Sequence, residues 1–154
     1  MKKRIIVSLL VIVSLLMIVG CNSKNNKSSE KDNNIIENDS SEVISSMKVT
    51  INGKQYVVQL EDNETVKSFI NILPQELNMS ELNGNEKYIY LDITLPTNSS
   101  NPKHINSGDV MLYGNNCLVL FYKSFDTSYS YTKIGHIENL DDLGNGSITA
   151  KFEK

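Results

Sequence analysis

The stretch SGDVMLYGNNCLVLFYKSFDTSYSYTKIGHI, Ser107 to Ile137, constrains the fold of this chain more than any other. Val110, Leu112, Leu118, Leu120 and Tyr122 recur at spacings of two within short runs, the period of strands that bury one face. Between the runs stand Gly114-Asn115-Asn116, residue types that tolerate positive φ, so the two runs read as the arms of a hairpin. The rest of the domain is expected to pack on this hairpin or lead to it.

Other strands follow from the same pattern. Met47, Val49 and Ile51 alternate with Lys48 and Thr50, Asn52-Gly53 is a strong hairpin signal, and Tyr56, Val58 and Leu60 alternate on the way back. In ETVKSFINIL the apolar residues Val66, Phe69, Ile70 and Leu73 fall at helical spacings. Asn63 can cap this segment and Pro74 ends it, which predicts one substantial helix. A polar turn is expected at Asn83-Gly84-Asn85, and a strand over Tyr88–Leu95 with Ile89, Leu91, Ile93 and Leu95 on its core face. After a long polar loop, Thr97–Asp109, and a second excursion, Lys123–Tyr131, strands are expected at Lys133–Ile137 and through Ile148, Ala150 and Phe152. The domain is thus mainly β.

The first 46 residues have a different character. Lys2, Lys3 and Arg4 precede an apolar run from Ile5 to Gly20, the pattern of a secretory signal and short for a membrane span of roughly 20 apolar residues. The run ends Ile18-Val19-Gly20-Cys21, which resembles the lipobox of bacterial lipoproteins. The resemblance implies cleavage before Cys21 and a diacylglyceryl thioether on its sulfur. Two acyl chains at about 0.8 kcal/mol per buried methylene would anchor the protein in membrane lipid. From Asn22 to Ser46 the chain is Asn, Ser, Lys, Glu and Asp with little to bury, expected to be a disordered tether reaching on the order of 25–30 Å. The organisation expected is therefore a lipoprotein signal peptide (1–20), the lipidated Cys21 with its linker (21–46) and one folded domain (47–154). The location expected is the outer side of a cell membrane, in a Gram-positive bacterium.

Removing residues 1–20 takes away three basic and no acidic residues, leaving 12 basic against 18 acidic, a net charge of −6. A nucleic-acid partner is not suggested by that balance. Arg4 is the one arginine in the sequence, so the remaining chain has no guanidinium for bidentate capture of carboxylate or phosphate. With Cys21 lipidated, Cys117 has no disulfide partner and the domain must hold itself by packing.

The opening strand ending INGK, the segment LNGNEKYIYL, the loop LPTNSSNP, and GDVMLYGNNCLVLFYKSF with SYSYTKIGHI resemble the bacterial cyclophilin-like fold proteins from about Met47 to the end. The resemblance implies a closed, predominantly antiparallel β-barrel with a helix covering an open end. It does not carry over the isomerase machinery. Cyclophilins use an Arg, set among Phe, Gln, Trp and His, to lower an X-Pro rotation barrier of about 18–20 kcal/mol. This domain has neither Arg nor Trp, and YIYLDI offers Tyr88 and Tyr90 where the Arg-bearing strand is expected.

The candidate chemistry is aromatic. Tyr88, Tyr90, Tyr113, Phe125, Tyr129 and Tyr131 cluster in sequence near the two long loops and form the candidate ligand-binding set, suited to stacking on a peptide or small molecule. Tyr129 and Tyr131 of YSY are expected to share a side. His104 and His136, with Cys117, Asp109 and Asp126, show no metal-ligand spacing, and no cofactor motif occurs. Both histidines read as ordinary surface residues, Cys117 as a small core hydrophobe, and Asp109 as a turn residue bonding nearby amides. Two functions are compatible with this pattern: a membrane-anchored binding or accessory domain, or a peptidyl-prolyl isomerase in which a Tyr hydroxyl, Lys123 or an Asn amide replaces the Arg.

Overall fold

The computed structural model describes residues 44–154; the expected signal segment, Cys21 and the tether as far as Val43 lie outside the described residues. Strands β1 (Ser46–Ile51) and β2 (Lys54–Leu60) form the first hairpin, with Asn52 and Gly53 at φ 47° and 87° as a tight two-residue turn requires. Helix α1 (Glu64–Asn71) follows, its N-cap Asn63 accepting a hydrogen bond from the Val66 amide at 2.9 Å. Then come β3 (Gln75–Leu82), β4 (Glu86–Tyr90), β5 (His104–Ile105), β6 (Asp109–Tyr113), β7 (Cys117–Phe121), β8 (Phe125–Asp126), β9 (Thr132–Ile137) and β10 (Ile148–Glu153). Eight of the strands close into an antiparallel barrel in the order β1-β10-β3-β4-β7-β6-β9-β2, so each pairs on both sides and no edge is left open.

The barrel interior is filled by the alternate residues that the period of two singles out. Val49 of β1, Met79 of β3, Val110 and Leu112 of β6, Leu118 and Leu120 of β7 and Phe152 of β10 are all buried there. Phe69 of α1 meets Phe152 edge-on, ring centroids 5.7 Å apart, tying the helix to the barrel core. Where β6 meets β9 the register slips between Val110 and Met111, which pair with Gly135 and Lys133. Gly135 lies so close to β2 that a Cβ would come within 2.3 Å of the Gln59 carbonyl oxygen, so only glycine fits without a backbone shift.

The spine hairpin forms as expected, but β7 is buried along its whole length because both of its faces are covered. One face looks into the barrel; on the other, Cys117, Val119 and Phe121 join Met111, Ile105 and Tyr131 in a second apolar cluster. The two long excursions build that outer cluster. They zip together through β5 and β8, with His104 opposite Asp126 and Ile105 opposite Phe125. The loop after Pro96 is further tied by Ser100 and Tyr131, whose backbones exchange hydrogen bonds of 2.9 and 3.0 Å.

The reading of Tyr88–Leu95 needs correction. The strand predicted over Tyr88–Leu95 runs instead over Glu86–Tyr90, because its partner β7 begins at Cys117 and offers nothing further to pair with. The Leu91 and Leu95 amides donate to the Asn116 and Asn115 carbonyls, both at 2.8 Å. Leu91 and Leu95 are buried, while Ile93, expected on the core face, loops outward and is 41 % exposed. At the other end of the domain, Ser46 already belongs to β1 and Ile44 packs against the barrel core.

Candidate ligand-binding site

Alternation along β4 divides its side chains between two environments. Lys87 and Ile89 turn inward, whereas Glu86, Tyr88 and Tyr90 stand on the outer face and line a concavity of about 300 Å³. Tyr113 at the end of β6, Cys117 and Val119 on β7, and Leu82 and Asn83 at the β3–β4 turn complete much of its wall. Tyr129 and Tyr131 reach it from the excursion before β9. Tyr113 contacts both of them, with ring centroids at 6.1 Å from Tyr129 and 5.6 Å from Tyr131. On the opposite wall Tyr88 and Tyr90 meet edge-on at 6.0 Å.

Five of the six aromatic residues proposed from sequence thus come together. Phe125 does not line the concavity; it packs on Phe121, 5.6 Å between centroids, and Phe121 in turn meets Tyr131 at 5.5 Å. Phe125 therefore supports the wall from behind. Tyr131 is itself nearly buried, and burial followed by the charge of Glu86 pushes its phenol above the ordinary range. The rim carries the exposed aromatic area: Tyr90 is 64 % exposed, Tyr129 61 % and Tyr113 44 %, with Leu82 beside them at 42 %.

Sequence reasoning missed Glu86. Its position, two residues before Tyr88 and four before Tyr90, was the available signal, since a strand puts all three on one face. Glu86 has no ion-pair partner and its carboxylate no hydrogen bond among the described residues, and burial, then the nearby charge of Glu81, raises its carboxyl above the usual glutamate range. Burial and Glu86 likewise push the Cys117 thiol up, which leaves that sulfur protonated and a poor nucleophile. The thiol is buried in the outer cluster, as expected of a small hydrophobe.

Lys87, on the inward side of β4, was also unforeseen. It is fully buried and its ammonium donates to the Glu81 carboxylate, the Gly144 carbonyl (2.6 Å) and the Gly146 carbonyl (2.8 Å), using all three of its protons. Tyr122, buried beside it, presents its ring 4.6 Å from the ammonium and donates its hydroxyl to Glu81 at 2.8 Å. Burial would raise the Glu81 carboxyl, but the hydrogen bonds from Lys87, Tyr122 and the Gly84 amide outweigh it and hold the carboxyl below its ordinary range. Burial and that same bond to Glu81 push the Tyr122 phenol up to about 12. This network fixes the β3–β4 turn, and with it Leu82 and Asn83 at the mouth of the concavity.

A second, shallower concavity is lined by Asn106, Ser107, Asp109, Ser124, Lys133 and His136. Asp109 is buried and accepts the Asn106 amide at 2.8 Å, as expected of a turn residue. It also faces His136 Nδ1 at 3.0 Å and Lys133 Nζ at 3.6 Å, so His136 is a partnered, partly covered side chain rather than an ordinary surface one. His104 is exposed and sits 2.7 Å from Asp126 across the β5–β8 pair. Ser124 Oγ accepts the Ser107 amide at 2.9 Å. Among the described residues no hydrogen bond joins either histidine to a serine hydroxyl, and no group of three or more His, Cys, Asp or Glu converges on a possible metal position.

The architecture and the site together define a closed eight-stranded antiparallel barrel bearing a tyrosine-lined concavity on its outer face. The model of the Cyclophilin-like family matches residues 49–153, and the chain belongs to that family. No curated protein and no solved structure matches the chain.

Proposed function

We propose that this protein is a membrane-anchored, extracytoplasmic binding or accessory domain that holds a peptide or small molecule in the tyrosine-lined concavity. One observation carries the reading: of the six large apolar side chains that stand exposed among the described residues, four (Leu82, Tyr90, Tyr113 and Tyr129) gather around a single concavity. Scattered apolar side chains need no explanation, but a gathered set around a concave surface favours a ligand. The lipobox at Ile18–Cys21 and the polar stretch after it support the anchored, outward-facing location.

A residual isomerase activity is the second reading, favoured by the presence of Asn83 and several tyrosine hydroxyls in the same concavity. Lys123 does not serve it, since its ammonium lies over the Tyr122 ring and 3.8 Å from Asp142. Both readings are tested by titrating X-Pro peptides into the full chain in maltoside micelles, with fluorotyrosine labels and exchange spectroscopy on the peptide's cis and trans signals. Label shifts at Tyr90, Tyr113 and Tyr129 without faster exchange support binding alone. Faster exchange that is lost in Tyr90→Phe or Tyr131→Phe supports the isomerase. An absence of shifts across a peptide and small-molecule panel sinks both.

A further inference from the structure

We propose that the tyrosine-lined concavity selects a cationic ligand: a single alkylammonium head, held between the faces of Tyr90, Tyr113 and Tyr129 and the carboxylate of Glu86. The inference rests on the binding reading above and names the chemical class of its ligand. Among the described residues Glu86 is the one charged side chain that lines the concavity, and no Lys, His or Arg lines it. Five tyrosine rings surround the space, and the face of each ring carries the negative part of its quadrupole. A cation seated against one of these ring faces beside Glu86 is attracted from two independent sources.

The state of Glu86 strengthens the argument. Glu81, five residues earlier, is neutralised by Lys87 and Tyr122 on the inward side of β4, whereas Glu86 has no such partner among the described residues. A neutral ligand without a hydrogen-bond donor, seated on the tyrosines, would strip water from that carboxylate and return nothing, and an anion would be repelled. A cation offsets that desolvation most fully, since it brings both a hydrogen-bond donor or close contact and the opposite charge. The volume of about 300 Å³ is at the small end of ligand pockets and suits one ammonium head on a short aliphatic stem, free or carried on a peptide.

The test uses the full chain with fluorotyrosine labels in maltoside micelles, which contain no ammonium. Choline is compared with its neutral isostere 3,3-dimethylbutanol, and N-acetyl-lysine methylamide with its norleucine counterpart. Each cation is expected to shift the tyrosine signals with an affinity about tenfold above that of its neutral partner, the size expected from cation–π attraction joined to one carboxylate. Glu86→Gln, close in shape to the original, is expected to erase most of that ratio. Tyr129→Leu, at an exposed position that cannot unfold the barrel, is expected to reduce it. Preference for choline alone assigns the site to a small quaternary ammonium, and preference for the lysine derivative alone to a peptide side chain. Equal affinity for cation and isostere overturns the inference while leaving the binding reading in place. No shift with any cation also overturns it, and the peptide and small-molecule titration then decides the binding reading separately.

Discussion

Glu86 is the residue through which the site and the stability of the fold are coupled. Its folded-state carboxyl is raised by burial and by Glu81, so folding favours the protonated form more than the unfolded chain does. Its contribution is favourable at low pH and is lost as pH rises through the raised folded value, where the ionised form is penalised. Glu86→Gln is therefore expected to be more stable than the parent chain at pH 7, with the difference vanishing below pH about 4, where both states of the parent are protonated. Urea denaturation at the two pH values measures it, and a variant less stable at pH 7 would contradict the assignment. The rim tyrosines behave differently because they are exposed. Tyr113→Ala is expected to change stability by no more than about 1 kcal/mol while weakening ligand binding, a separation that a melting curve and a titration read together.

At the scale of elements, β4 owes its position to a charge buried on one side and an aromatic row on the other. Removing the ammonium in Lys87→Met leaves the Glu81 carboxylate without its cation and two glycine carbonyls without that donor, and is expected to cost about 3–5 kcal/mol. Glu81→Gln added to Lys87→Met should recover part of this, because the uncompensated charge disappears; a double variant no more stable than the single one would place the cost in packing instead. Glu81 has the opposite sign to Glu86. Its folded value is depressed, so the stability it supplies is present above the ordinary glutamate range and is lost as pH falls below about 4. Strand β9 depends on a missing side chain. Gly135→Ala would drive a Cβ against the Gln59 carbonyl and Val58 on β2, and a loss of about 1–3 kcal/mol is expected in the same denaturation assay.

For the whole molecule, the barrel and the anchor are separable proposals. Cys21→Ser removes the sulfur that lipid attachment needs and is expected to shift the protein out of the membrane fraction without changing its melting temperature; continued membrane association would point to an uncleaved apolar segment. Much of the folded domain was legible along the chain. The Asn52-Gly53 turn, the Asn63 cap, the Gly114-Asn115-Asn116 turn and the alternate apolar positions are local signals, and each resides in a few adjacent residues. The aromatic set was legible for a similar reason, since six of the seven tyrosines fall between Tyr88 and Tyr131. What local pattern determined was the type and order of most elements and the residues available to fill a barrel. Tertiary structure alone decided where β4 stops, since that depends on where β7 begins, and which of two nearby glutamates keeps its charge unpaired. Lys87 reaches carbonyls 57 and 59 residues away, and Glu86 shares its concavity with tyrosines from two other parts of the chain. Barrel closure brings such groups together, and no period along the sequence encodes a distance across the fold.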